Sequence, residues 1–191
     1  MGREFELKFR ADTEKITAIR EKYGEFSTIA METAYYDTAN RDLSPLHWTL
    51  RRRYENGRSI CTVKTPAPGG ARGEWETECG DIMAAVPELC KLGAPVQLMA
   101  LTIRGVEQVC GAKFTRLAKT LELKDCTVEL ALDRGCLMGG GRTEPLAEVE
   151  VELKNGSEEA AIGFAKALAG EFGLISEKGS KYRRALALAQ K

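Results

Sequence analysis

The chain has 191 residues, with 28 Lys plus Arg, 28 Asp plus Glu and a single histidine, so its formal net charge is zero. That length suits one domain of generous size, and no Pro/Ser-rich linker divides it, so a single domain over residues 1–191 is expected. The charge balance argues against a generally basic nucleic-acid binder, the opening MGREFELKFR lacks an apolar signal core, and no apolar run approaches the ~18 residues of a membrane span. A cytoplasmic protein that meets neither nucleic acid nor membrane is the expectation.

The pattern EFELKFR alternates charged and apolar side chains, which places Glu4, Glu6, Lys8 and Arg10 on one face of a strand over 3–10. A helix follows over 12–23, with Asp12 or Thr13 at its N-cap and Gly24 as its stop. Strands are expected at about 26–37, 47–55, 59–65 and 72–79, joined late in the run by the turns ENG and APGGA. Residues 81–105 read as two helical pieces, with Pro87 near a helix start and a break at LGAP. Extended runs at about 108–121, 124–137 and 142–154 come next. A helix capped by Ser157 and a last helix over about 178–189 complete the chain. Roughly eight antiparallel strands with amphipathic helices make an α+β fold, and eight such strands can close into a barrel. The glycine clusters PGGARG and MGGGR match neither GxGxxG nor a P-loop and read as turns.

The period of two then sorts the charges. Arg51 and Arg53 share a face, as do Thr62 and Lys64; Arg72, Glu74, Glu76 and Glu78; Glu129 and Asp133; and Glu148, Glu150 and Glu152. Any one strand fits a sheet with a wet face. Taken together, the helices need apolar sheet surface to cover, and only the faces bearing Phe5, Leu7, Trp75 and Val149 offer it. If helices cover those faces outside a barrel, the charges line its interior, at a cost of several kcal/mol per unpaired ion. A cation on the glutamates and a polyanion on the bases would offset that cost. The six cysteines show no CxxC spacing and read as reduced, buried thiols. With His47 as the sole histidine, a Ser-His or Cys-His nucleophile is not expected.

The ordered blocks EFELK, YYDT, LRRR, TVK, RGEWE, Arg116, ALDRG, EVEVEL and SKY resemble the CYTH family of triphosphate tunnel metalloenzymes over nearly the whole chain. That resemblance implies a closed eight-stranded antiparallel tunnel with helices outside, working on triphosphates with Mg²⁺ or Mn²⁺. It assigns Glu4, Glu6, Glu148 and Glu150 to the metal, with Glu76 and Glu152 as further members. Lys8, Arg51, Arg53, Lys64, Arg116 and Lys181 are assigned to the triphosphate, with Arg72 assisting; Lys178 is an alternative to Lys181. Asp133 orients a basic residue or completes the metal shell, and Glu4, Glu6, Lys8 and Asp133 form the implied catalytic group. The implied reaction is hydrolysis of inorganic triphosphate, or of a nucleoside or thiamine triphosphate. The alternatives are a class IV-type adenylate cyclase, which makes cyclic AMP and pyrophosphate from ATP, and a polyphosphate-binding module without turnover. A homodimer is also admitted.

Overall fold

The computed structural model describes residues 5–66 and 72–190, the side chain of Arg72 excepted. In chain order it contains β1 (Phe5–Arg10), α1 (Thr13–Tyr23), β2 (Ser27–Asp37), a 3-10 turn (Ser44–Leu46), β3 (Thr49–Glu55), β4 (Arg58–Pro66) and β5 (Arg72–Glu78). Then come α2 (Ile82–Lys91), α3 (Gln97–Thr102), β6 (Glu107–Glu122), β7 (Cys126–Gly139), β8 (Arg142–Gly156), α4 (Glu158–Phe172), β9 (Ile175–Ser176) and α5 (Lys181–Ala189).

Local chemistry sets most of these boundaries. Asp12 caps α1 by accepting from the Lys15 backbone N–H at 2.8 Å, and Ser157 caps α4 by accepting from Ala160 N–H at 3.2 Å. The β3–β4 hairpin turns at Asn56-Gly57, both at positive φ (47° and 91°), as a type I′ turn requires. Pro87 departs from expectation. It lies inside α2, because Asp81 starts the helix earlier by accepting from Ala84 N–H at 2.7 Å. The ring then removes one hydrogen bond from a helix that its buried face of Ile82, Ala85, Val86 and Leu89 still holds in place.

The strands form one antiparallel sheet in the order β5-β4-β3-β2-β6-β7-β8-β1-β9. The expected α+β fold with a barrel-type antiparallel sheet is present. It carries one more strand than expected, the two-residue β9, which takes the edge of β1 at Phe9 and Arg10. Among the described residues no ladder joins β5 to β1 or β9, so the hydrogen-bonded wall is open along that seam.

Helices cover the apolar face of the sheet, as the strand parity demands. Val128, Leu130 and Leu132 of β7, with Val149 and Val151 of β8 and Phe9 of β1, pack with Ile16 and Ile19 of α1 and Ala161, Ala165 and Leu168 of α4. At the other end of the sheet, Leu50, Cys61 and Val63 pack with α2 and α3. Burying these faces drives the fold, at ~25 cal/mol per Å² of apolar surface. The charged parity of every strand is thereby turned away from these helices.

The fifth helix does something different. Ala185 and Leu188 of α5 pack on Leu137, Leu146, Cys110, Ala112 and Phe114, residues in register with the charged rows. α5 therefore lies on the charged, concave side. Gly139 permits that approach, because a Cβ there would stand 2.2 Å from the Ala185 carbonyl oxygen. Gly139→Ala should lift α5 from the sheet and cost about 1–3 kcal/mol, the range for overpacking. Urea unfolding checks this; an unchanged midpoint would show that α5 does not depend on the close approach.

Candidate active site

The first half of the site is an acidic wall built by cross-strand register. Arg116 of β6 stands opposite Asp133 of β7, and Asp133 opposite Glu148 of β8. Glu148 is paired with Arg10 of β1, Glu150 with Lys8, and Glu152 with Glu6. Antiparallel neighbours in register share a face with close Cβ atoms, so one strand period gathers all of these groups. Asp133 and Glu148 are 0% exposed and Glu150 is 6% exposed. One carboxylate oxygen from each of the three lies within 4.8 Å of the others.

Three cations meet these three carboxylates. Arg116 makes a bidentate pair with Asp133, at 2.8 Å for both Nε and Nη2, and also donates to Glu150. Lys181, at the first residue of α5, places its Nζ 2.8 Å from Asp133, 2.6 Å from Glu148 and 2.7 Å from Glu150. Arg184, one turn later, donates to Glu148 and lies 3.1 Å from Glu144. Burial works against charge on Lys181, but Glu150, Asp133 and Glu148 raise its ammonium above the usual lysine range. Burial also pushes the Glu148 carboxyl up, with Lys181 only partly opposing. For Glu150 burial is outweighed by Lys181 and Arg116, which hold it below the ordinary carboxylate range.

The second half is a basic wall. Arg51 and Arg53 of β3 share a face with Thr62 of β4, and Lys64 lies one step further along β4. Their side chains are 16%, 20% and, for Lys64, 13% exposed, so all three cations are largely withdrawn from water. Glu74 lies 2.9 Å from Lys64 and 3.6 Å from Arg51, and Arg53 pairs with Glu55. Among the described residues, Arg51 Nε and Thr62 Oγ1 are buried and find no hydrogen-bond partner. Burial, and then the neighbouring Arg51, pull the Arg53 guanidinium below its ordinary value against the opposing pull of Glu55 and Glu76. Arg52 has the opposite parity, and it donates to the Gly80 carbonyl at 2.8 Å.

Of the residues singled out from the sequence, Asp133, Glu148, Glu150, Arg116 and Lys181 come into direct contact, and Lys8 stands beside Glu150 in the ladder. Lys178 is exposed, so Lys181 is the lysine of SEKGSKY that enters the cluster. Glu6 pairs with Lys8 at 2.7 Å, and Glu152 pairs with Lys154 at 2.8 Å, one register step from the cluster. Glu76 is exposed. Glu4 and the Arg72 side chain lie outside the described residues.

The sequence reading missed Arg184, Arg10, Glu177 and Glu74. Glu177 accepts from Arg10 and from Gly179 N–H at 2.6 Å, which links β1 to the segment entering α5. Parity had already placed Arg10 and Glu74 on the charged faces, whereas Arg184 was legible only as one helical turn beyond Lys181. All six cysteines are free thiols. Burial was expected of all of them, but only Cys61, Cys110 and Cys126 are buried, and Cys79, Cys90 and Cys136 are half-buried. Burial pushes Cys61 up to about 11 and Cys110 up to about 12. His47 is exposed.

The CYTH domain signature matches residues 2–186, nearly the whole chain. The chain belongs to the CYTH domain family. Among curated proteins the CYTH chain is 24% identical over 169 residues to an inorganic triphosphatase of Haemophilus influenzae, covering 87% of this chain and 48% of that one. It thus spans about half the length of that relative. Among solved structures, it superposes on an adenylate cyclase candidate of Bacillus halodurans with a TM-score of 0.66 at 19% identity, covering 94% and 96% of the two chains. The PH1819 protein of Pyrococcus horikoshii gives 0.62 at 26% identity over 98% and 99%. An adenylyl cyclase candidate of Hippeastrum, described as having a dominant triphosphatase activity, gives 0.60 at 18% identity over 98% and 95%.

The network makes a stability prediction. Arg116→Met should destabilise this CYTH domain by about 3–5 kcal/mol, because Asp133 keeps its buried charge and loses its bidentate partner. Chemical denaturation measures it; a loss below ~1 kcal/mol, the value of a surface pair, would mean that water screens the site.

Proposed function

We propose that this CYTH protein is a divalent-metal-dependent triphosphatase that hydrolyses inorganic triphosphate, or a triphosphate-bearing organic substrate, on the concave face of its sheet. The observation that carries this reading is the division of one face into two walls. Three buried carboxylates form one wall. The other holds three largely buried cations, with an Arg51 donor and the Thr62 hydroxyl that find no partner among the described residues. A metal suits the first wall and a polyanion the second.

The donor set fits a hard cation. Asp133, Glu148 and Glu150 offer only carboxylate oxygens, the ligands that Mg²⁺ and Mn²⁺ prefer over thiolate or imidazole. When bound, such an ion polarises phosphoryl oxygens and lowers the pKa of a water molecule. Every other role falls to the chain. Arg51 and Arg53 grip phosphate oxygens through planar guanidinium forks and Lys64 as a point charge. Asp133 holds Arg116 by its bidentate pair, which fixes that guanidinium at the edge between the walls. Water attacks the terminal phosphorus and gives up a proton to a phosphate oxygen or to solvent as the bridging P–O bond breaks. Pyrophosphate, or the diphosphate of an organic substrate, departs, with orthophosphate as the other product. The fixed cations stabilise the charge that grows on the leaving group. The inorganic triphosphatase relative from H. influenzae supports the choice of reaction.

The test is turnover of inorganic triphosphate, ATP and thiamine triphosphate with Mg²⁺ or Mn²⁺, scored for phosphate, pyrophosphate and cyclic AMP. Phosphate release that EDTA abolishes and metal restores is expected. Cyclic AMP from ATP would replace the hydrolase by a cyclase, and undiminished turnover without metal would overturn the metal role. In the same assay Arg53→Ala and Lys64→Ala should each lose about 2–4 kcal/mol of transition-state stabilisation in kcat/KM, as positioned charged donors do. Arg52→Ala should lose little. Equal losses at Arg52 and Arg53 would sink the assignment of the concave face.

A further inference from the structure

The Lys181 ammonium touches the same three carboxylates that make up the acidic wall, at 2.6–2.8 Å. A cation the size of Mg²⁺ or Mn²⁺ binds carboxylate oxygens at about 2.0–2.2 Å, so an ion seated among the same three oxygens would take the place the ammonium group now occupies. Two positive charges packed together in a poorly solvated site also repel strongly. Resting on the function proposed above, we propose that Lys181 is an exchangeable counter-ion. It holds the acidic wall together when no metal is bound, and metal entry releases it toward the substrate phosphates.

Three observations support the exchange. Lys181 is the first residue of α5, so its long side chain can swing while the helix stays in place. The helix itself is anchored independently by Ala185 and Leu188 in the core and by the Tyr182 hydroxyl, 2.9 Å from Ser44 Oγ. Charge gives the direction. Asp133, Glu148 and Glu150 are met by Lys181, Arg116 and Arg184, the last of which is shared with Glu144 and Glu177. A divalent ion in place of the ammonium adds two positive charges to the wall and leaves a freed lysine beside it. That is an attractive arrangement for a polyanion and an unfavourable one without it. Metal and triphosphate should therefore bind cooperatively, and linkage makes the effect reciprocal.

The experiment measures Mn²⁺ affinity without substrate, by electron paramagnetic resonance, for wild type, Lys181→Met and Lys8→Met. Lys8 is a nearby cation that ion-pairs with Glu6 and acts on Glu150 only at longer range, so it reports the general effect of removing a positive charge. Lys181→Met should bind Mn²⁺ roughly tenfold or more tighter than wild type, on the order of typical coupling between sites, and Lys8→Met only slightly tighter. Triphosphate should tighten Mn²⁺ binding in wild type and do so less in Lys181→Met. Unchanged or weaker Mn²⁺ binding by Lys181→Met, or equal gains in both variants, would overturn the exchange while leaving the metal site intact. Wild-type protein that binds no Mn²⁺ even with triphosphate present would overturn the proposed function itself. Should Lys181→Met fail to fold, Lys181→Gln keeps a polar group among the carboxylates and carries the same expectation.

Discussion

The constraint on which the rest of this structure depends is the burial of charge on one face of a sheet. Asp133 and Glu148 are fully buried, and removing such groups from water costs several kcal/mol each unless they are paired. Strand register supplies the pairing. Because side chains alternate with a period of two, one alignment of β6, β7, β8 and β1 sets Arg116, Asp133, Glu148 and Arg10 in a row, with Lys8 and Glu150 in the next. A slip by one residue would send every charge into the helices and every apolar residue into the site. The apolar core and the charged site are thus two consequences of the same register.

That register does not by itself complete the site, since it brings no cation into the centre of the three carboxylates. α5 does so. Its close approach over Gly139, its apolar contacts through Ala185 and Leu188, and its polar tie from Tyr182 to Ser44 fix where Lys181 and Arg184 enter. Ser44 is in turn held by Asp37, a fully buried carboxylate that also accepts backbone N–H groups from Thr38 and Leu43. The loop after β2 and the last helix therefore meet at one junction. The acidic wall depends on both.

Much of this was legible in the sequence, for a physical reason. Alternation in EFELKFR, LRRRY and EVEVEL is a local property, and it reports the face of each residue without knowledge of tertiary contacts. The caps at Asp12 and Ser157 and the ENG turn were equally local. What could not be read was the pairing. Glu6 and Glu150 lie on the same face, yet Glu6 pairs with Lys8 while Glu150 meets Lys181 from a helix 31 residues away. Nor did any local signal show α5 crossing to the charged side of the sheet, because Ala185 and Leu188 look like any amphipathic stripe. Strand β9 was too short to carry a pattern, and Pro87 was placed too early because the Asp81 cap was not recognised.

The most direct test of the two-wall account is a crystal structure with Mn²⁺ and inorganic triphosphate, its metal located by anomalous scattering. The account predicts an anomalous peak ligated by Asp133, Glu148 and Glu150, with phosphate oxygens reaching Arg51, Arg53 and Lys64 across the concave face. A metal held elsewhere, or a triphosphate bound away from β3 and β4 while the three carboxylates keep Lys181, would contradict it.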